Sequence, residues 1–209
     1  MAQIILSATT FLLLLSLSTP STTATTTTIF DTDGRPLRTN SAYYILPILR
    51  GGGLTMTPIN TTTPCPLYVS QENPNLSNGL PLKFFPLNPK QKTISHSSDL
   101  NIVFDAAITC VQSTGWAVTF DEGTGTRYIG TGGTIGNPVI DTLNSWFHIV
   151  KIGNGMYDYS YKISFCPGVC PECTMMCGDN VDVGVMIGKH GTKFLGLTNQ
   201  ALVVRFKKA

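Results

Sequence analysis

The chain has 209 residues, enough for one large domain or two small ones. Charged residues make up 12% and the formal net charge is +2 at pH 7, which excludes the electrostatic footprint of a nucleic-acid binder and a Glu/Lys-rich coiled coil. With 42% apolar residues, 20 glycines and 13 prolines, the chain can bury a core and must turn often, so a disordered tail protein is excluded as well.

Residues 1–24 contain no Asp, Glu, Lys or Arg, hold an apolar block from Phe11 to Leu15, and end on the small residues Thr22, Thr23 and Ala24. They are expected to form a secretory signal peptide. A membrane anchor is the alternative, but Ser7, Thr9, Thr10, Ser16 and Ser18 interrupt the block, which is short for a span. No later stretch is long and apolar enough to cross a bilayer. Residues 25–209 are therefore expected to be a single secreted or vacuolar domain without membrane contact.

From Ile29 onward short β-prone runs alternate with turn clusters. Tyr43 to Leu46, Leu67 to Val69, Leu82 to Phe85, Ile102 to Phe104 and Trp116 to Phe120 read as strands. So do Trp146 to Val150, Tyr159 to Phe165, Val181 to Ile187, Phe194 to Leu197 and Leu202 to Phe206. Between them lie Gly51-Gly52-Gly53, Asn73-Pro74-Asn75, Asn78-Gly79, Gly130 to Pro138, Gly153-Asn154-Gly155 and Lys189-His190-Gly191. No amphipathic helix emerges, so ten to twelve strands imply an all-β sandwich, barrel or trefoil. Three runs ending on Phe104, Phe165 and Phe206, 61 and 41 residues apart, share one alternation and suggest an internal threefold repeat. In each, alternate apolar residues would face a common core.

All six cysteines follow residue 60. An even count behind a signal peptide implies disulfides. Cys166, Cys170, Cys173 and Cys177 are spaced C-x3-C-x2-C-x3-C, so nested pairs 166–177 and 170–173 would suit a hairpin stem and its tip. A four-thiolate zinc site is the competing reading, disfavoured by an oxidising compartment. Cys65 and Cys110 would then pair, closing a loop worth about 4 kcal/mol on the chain-entropy account. Asn60-Thr61-Thr62 and Asn75-Leu76-Ser77 are candidate glycosylation sites.

Ile29-Phe30-Asp31-Thr32-Asp33-Gly34-Arg35-Pro36-Leu37 followed by Tyr43-Tyr44-Ile45-Leu46-Pro47 resembles the N-terminal signature of the plant Kunitz family of soybean-trypsin-inhibitor type. The match continues through Cys65-Pro66-Leu67, Asp99 to Phe104, Phe165-Cys166-Pro167, Cys177-Gly178-Asp179 and Leu202 to Phe206. The cysteine arrangement is most similar to the miraculin-like branch, which has three disulfides. The resemblance implies a β-trefoil of about twelve strands, secreted or vacuolar, in a family many of whose members inhibit serine proteases, and the residues themselves lead us to expect no cofactor, no metal and no enzymatic activity. The signature also reads physically. Asp33-Gly34 supplies a turn, with Asp bonding locally, and Tyr43 and Tyr44 point to opposite faces of a strand, so one can enter the core.

The family inhibits with an exposed substrate-like loop, and the matching window here is Asn88-Pro89-Lys90-Gln91-Lys92-Thr93. No acidic residue occurs from Asn73 through Ser98, whereas Lys83, Lys90 and Lys92 do, so the loop is cationic in a nearly neutral protein. A trypsin-like pocket ends in a carboxylate and accepts a Lys side chain. Lys90 is the favoured primary residue. Lys92 is an alternative, and a proline-to-proline match selects Gln91, which would not suit that pocket. Inhibition needs a loop already held extended, so that little entropy is lost on docking and cut ends stay in place. Family inhibitors bond the loop carbonyls with an Asn from the N-terminal segment. A gapless match through Tyr43-Tyr44 puts Thr39 at that position and Asn40 next to it. The expected partner is a trypsin-like serine protease bound by a monomer.

Two other readings stand beside this one. A non-inhibitory storage, defence or miraculin-like protein would lack the loop support. A carbohydrate-binding trefoil would use Trp116, Trp146 and several tyrosines for stacking, although strand-borne aromatics more often fill cores. Enzymatic readings find little. His96, His148 and His190 join no catalytic pattern, no G-x-S-x-G elbow occurs, and Gly123-Thr124-Gly125 and Gly130 to Gly133 read as hairpin turns rather than phosphate cradles.

Overall fold

The computed structural model describes residues 27–49, 51–60, 62–74, 77–110, 112–153, 158–169, 181–188 and 191–209. The expected signal peptide, Asn75, His190, Cys170, Cys173 and Cys177 lie outside these residues.

Twelve strands form among the described residues: β1 (Tyr43–Pro47), β2 (Leu54–Pro58), β3 (Leu67–Gln71), β4 (Leu82–Pro86), β5 (Leu100–Phe104), β6 (Ala117–Asp121), β7 (Thr126–Gly130), β8 (His148–Lys151), β9 (Tyr161–Ser164), β10 (Asp182–Ile187), β11 (Lys193–Thr198) and β12 (Val204–Lys208). A short 3-10 helix spans Ile140–Ser145. Ten strands fall on runs read from the sequence. β2 and β7 do not, and the 3-10 turn lies just past the break read from Gly130 to Pro138, in residues given no reading.

Six strands close on themselves. β1 pairs with β12 and β4, β4 with β5, β8 with β9, and β9 with β12. A bridge between Leu100 and Phe147 joins β5 to the start of β8. The remaining strands form three antiparallel hairpins, β2–β3, β6–β7 and β10–β11. The hairpins meet through Tyr68 opposite Gly130, Gly196 opposite Tyr128, and Phe194 opposite Ser70. Each hairpin thus lends one ring to a triad: Tyr68, Tyr128 and Phe194 stand edge-to-face with centroids 5.8, 6.2 and 6.1 Å apart. A six-strand barrel with three hairpins in threefold contact is a β-trefoil.

The Phe-ended runs carry that symmetry only in part. β5 and β9 open the second and third four-strand repeats, but β12 closes the third, so Phe206 is not equivalent to Phe104 and Phe165. The equivalent positions are the triad rings, 60 and 66 residues apart. The runs do share one core, as their alternation requires. Leu100, Ile102, Phe104, Ile163, Phe165, Val204 and Phe206 are all buried, with Tyr43, Phe84 and Phe147 among them. Each such side chain contributes about 1.5–3 kcal/mol by leaving water. Trp116 packs between Phe104 and Phe147, and it and Trp146 are each 1% exposed. Neither can stack on a sugar, which corrects their place in the carbohydrate-binding reading.

Cys65 and Cys110 form the expected disulfide, tying the start of β3 to the segment after β5. Cys166 is also disulfide-bonded, which removes it from a four-thiolate metal site.

Candidate functional site

The β4–β5 connection, residues 87–99, is closed at its base where the Leu87 N–H donates to the Asp99 carbonyl at 2.9 Å. The Asp99 carboxylate accepts from His148 Nε2 at 2.9 Å and from the Gly168 N–H at 2.9 Å. His148 therefore anchors the stem of this loop from β8. His96 bonds its neighbour, Nδ1 to Ser97 Oγ at 2.8 Å.

The N-terminal segment lies behind the loop. Thr28 bridges Ser95 and Arg38 bridges Thr93. Between them the Ile29 N–H donates to Ile94 O and the Ile94 N–H to Leu37 O. Ile29, Leu37 and Ile94 are fully buried, so the second half of the loop is strand-paired over core. The segment folds back on itself through the turn at Gly34, whose φ of +72° lies in the left-handed region that glycine favours. The local side-chain bonds there come from Asp31 rather than from Asp33. Asp31 Oδ1 accepts the N–H groups of Asp33 and Arg35, each at 2.9 Å. Asp33 instead faces solvent and pairs with Arg35 at 3.4 Å. Tyr43 is the tyrosine that enters the core, and its hydroxyl accepts the Arg38 N–H at 2.9 Å.

The first half of the loop is not extended. Asn88 to Gln91 form a β-turn in which the Gln91 N–H donates to the Asn88 carbonyl at 3.0 Å and the Lys90 N–H to Asn88 Oδ1 at 3.1 Å. Asn at the first position and Pro89 at the second are the preferred residues of such a turn. Asn88, Pro89, Lys90 and Lys92 are exposed, while Gln91 and Thr93 are half-buried. Gln91 folds inward, its Nε2 donating to the Thr93 carbonyl and to Ser95 Oγ, both at 2.7 Å.

Thr39 touches the loop through its main chain, its N–H donating to the Lys92 carbonyl at 3.2 Å. Asn40 lines an adjoining groove of 390 Å³ with Pro86, Leu87, Pro89, Ile135 and Pro138. The far wall of that groove is fixed from below by buried Asn101, which accepts the Gly136 N–H at 2.7 Å and donates to the Ser145 carbonyl at 2.8 Å.

Of the three lysines read as a cationic cluster, Lys83 is neutralised by Asp105 at 2.9 Å. Lys90 and Lys92 form no ion pair among the described residues. The Lys90 carbonyl accepts no hydrogen bond among the described residues, whereas that of Lys92 is committed to Thr39. Asn60 is exposed, and its Oδ1 accepts from Thr62 Oγ1 at 3.3 Å and the Thr63 N–H at 3.0 Å. The inward fold of Gln91 and the anchoring by Asp99 were not read from the sequence. The only sequence signal was the Asn88-Pro89 pair, which marks the turn that aims Gln91.

The sequence pattern of the legume Kunitz family, described as trypsin and protease inhibitor, matches residues 29–208. Miraculin of Synsepalum dulcificum is 42% identical over 86% of this chain and 82% of its own. Kunitz trypsin inhibitor 5 of Arabidopsis thaliana is 40% identical over 90% of this chain and 89% of its own. The solved structure of the bifunctional α-amylase/subtilisin inhibitor of Oryza sativa superposes with a TM-score of 0.66 at 34% identity, covering 88% of this chain and 99% of that one. The chain belongs to the plant Kunitz family of trypsin and protease inhibitors.

Proposed function

We propose that this protein inhibits a serine protease by docking loop 88–93 in its cleft, with Lys90 entering a trypsin-like pocket. The supporting observation is a loop exposed at Asn88, Pro89 and Lys90 yet tied at its base and along its second half. Lys90 has a free ammonium and an uncommitted carbonyl, the two groups that the pocket and the oxyanion hole require. Its kinship with a trypsin inhibitor and a subtilisin inhibitor supports a protease partner. Such contacts bury about 1,600 Å² in total. The inhibitor acts as a monomer, and the uncharged, partly apolar sequence of residues 1–24 and the Cys65–Cys110 disulfide support a secreted or vacuolar location.

Titration of trypsin, chymotrypsin and subtilisin tests the reading. We expect tight inhibition of trypsin that Lys90→Ala weakens about 100-fold and Lys92→Ala by only a few-fold, because only the first leaves a buried carboxylate unpaired. No inhibition at micromolar protein removes trypsin-like targets. The turn at 88–91 favours one rival, a non-inhibitory storage or defence protein, because a cleft-bound loop must open it. Rapid clipping between Asn88 and Thr93 would mark that rival.

A further inference from the structure

A loop that a protease can enter is an inhibitor only if the bond under attack stays in register before and after cleavage. Hydrolysis of the Lys90–Gln91 amide takes up one water and leaves a Lys90 carboxylate and a Gln91 amine. Religation expels that water, and it competes with product release only while the two ends remain adjacent. The Asn88 carboxamide accepts the Lys90 N–H in the free protein, but that bond belongs to the turn that docking opens, so it does not hold the Lys90 side of the break. On the other side, Thr39 has no carboxamide, and its main-chain bond to Lys92 is 3.2 Å long.

Gln91 fills that gap from within the loop. Its amide nitrogen carries two N–H donors, and each has its own acceptor at 2.7 Å, the Thr93 carbonyl and Ser95 Oγ. A carbonyl only accepts, so the side chain must present nitrogen to Thr93. Thr93 and Ser95 are themselves bridged to Arg38 and Thr28 over buried Ile94. The side chain therefore couples the apex of the loop to its strand-paired half. We infer that Gln91 is the positioning residue that keeps the new amine in place, supplying from inside the loop the brace that Thr39 cannot provide. The inference rests on the inhibitor reading above.

The test uses the full chain carrying Gln91→Ala, Gln91→Glu, or Gln91→Ala with Thr39→Asn. Three quantities are read: amide exchange of the 88–95 segment in the free protein, the rate at which excess trypsin cuts Lys90–Gln91, and the denaturation midpoint as a control for folding. Gln91→Ala is expected to raise both exchange and cutting about tenfold, the equivalent of one hydrogen bond, with an unchanged midpoint. Gln91→Glu keeps the volume but offers oxygen to the Thr93 carbonyl, and is expected to do the same at neutral pH. Thr39→Asn is expected to restore slow exchange and slow cutting, which it cannot do by replacing a contact between residue 91 and the protease. Wild-type exchange in Gln91→Ala overturns the brace, whatever the inhibition. Faster cutting without rescue by Thr39→Asn, together with a Gln91→Glu variant that behaves as wild type, overturns it in favour of direct contact. Faster exchange in Gln91→Ala while the unmodified protein inhibits no protease sustains the brace and sinks the inhibitor reading instead.

Discussion

Asp31 is the one buried carboxylate on which the segment behind the loop depends. It is 1% exposed, and a single oxygen accepts two backbone N–H groups. Removing the acceptor strands two donors in a turn packed against the barrel, where an unmet donor costs about 1–3 kcal/mol. Asp31→Ala should therefore lower the unfolding free energy in urea by about 2–4 kcal/mol. Asp31→Asn keeps an acceptor oxygen and should cost about 1 kcal/mol. Equal losses for the two would mean that charge, not acceptance, is what the turn uses. The same segment bridges Thr93 and Ser95, so Asp31→Ala should also speed exchange in the loop.

At the scale of elements, the hairpins approach too closely for ordinary side chains. A Cβ at Gly196 would stand 2.7 Å from the Arg127 carbonyl, which belongs to the neighbouring β7 and cannot swing away. Gly196→Ala should force β7 and β11 apart and cost about 1–3 kcal/mol in a urea titration. A cost near zero would show that the triad rings tolerate wider spacing. Gly196 is one of three equivalent positions opposite the rings, and this explains what the sequence could disclose. Strands such as β4, β5 and β12 announce themselves because their inward residues are large and alternate. β2 hides behind three glycines and ends on Pro58, and β7 ends on Gly130, so both look like punctuation. The glycines before β2 are crowded by Gln71, Glu72, Asn73 and Asn78, and Gly130 by Thr119 across its own hairpin, so each answers to a close approach that the run itself does not record. The site divides in the same way. Its place between β4 and β5 and its lysines were legible, and Asn88-Pro89 marks a turn. The folding of Gln91 onto Thr93 and Ser95 was not legible, because it depends on where the turn aims the side chain.

Over the whole molecule, chain ends far apart in sequence hold one another. β1 pairs along its length with β12, and the Phe30 N–H donates to the Tyr161 hydroxyl across 131 residues at 3.0 Å. Such closures make the fold sensitive to groups whose titration changes on folding. Burial pushes the Tyr161 phenol above its ordinary value of 10.0, against the opposing pull of the Phe30 N–H and the nearby Lys151 ammonium. Burial does the same to Tyr68 in the triad, helped by the negative charge of Asp121. A group with a raised folded pKa binds its proton more tightly in the folded state. Below pH 10 both states keep the proton and the full stability is present. Above it the unfolded chain releases its protons first, and stability falls as pH climbs through the folded values. Urea midpoints should therefore decline from about pH 10 upward. Tyr161→Phe should cost about 1–2 kcal/mol at pH 7, because the Phe30 N–H loses its acceptor, yet its midpoint should fall less steeply above pH 10. Parallel alkaline slopes for the two proteins would show that Tyr161 opens to solvent before the barrel does. The closure between the first and third repeats would then be the weakest seam of the molecule, and the segment behind loop 88–93 would be the first part to loosen.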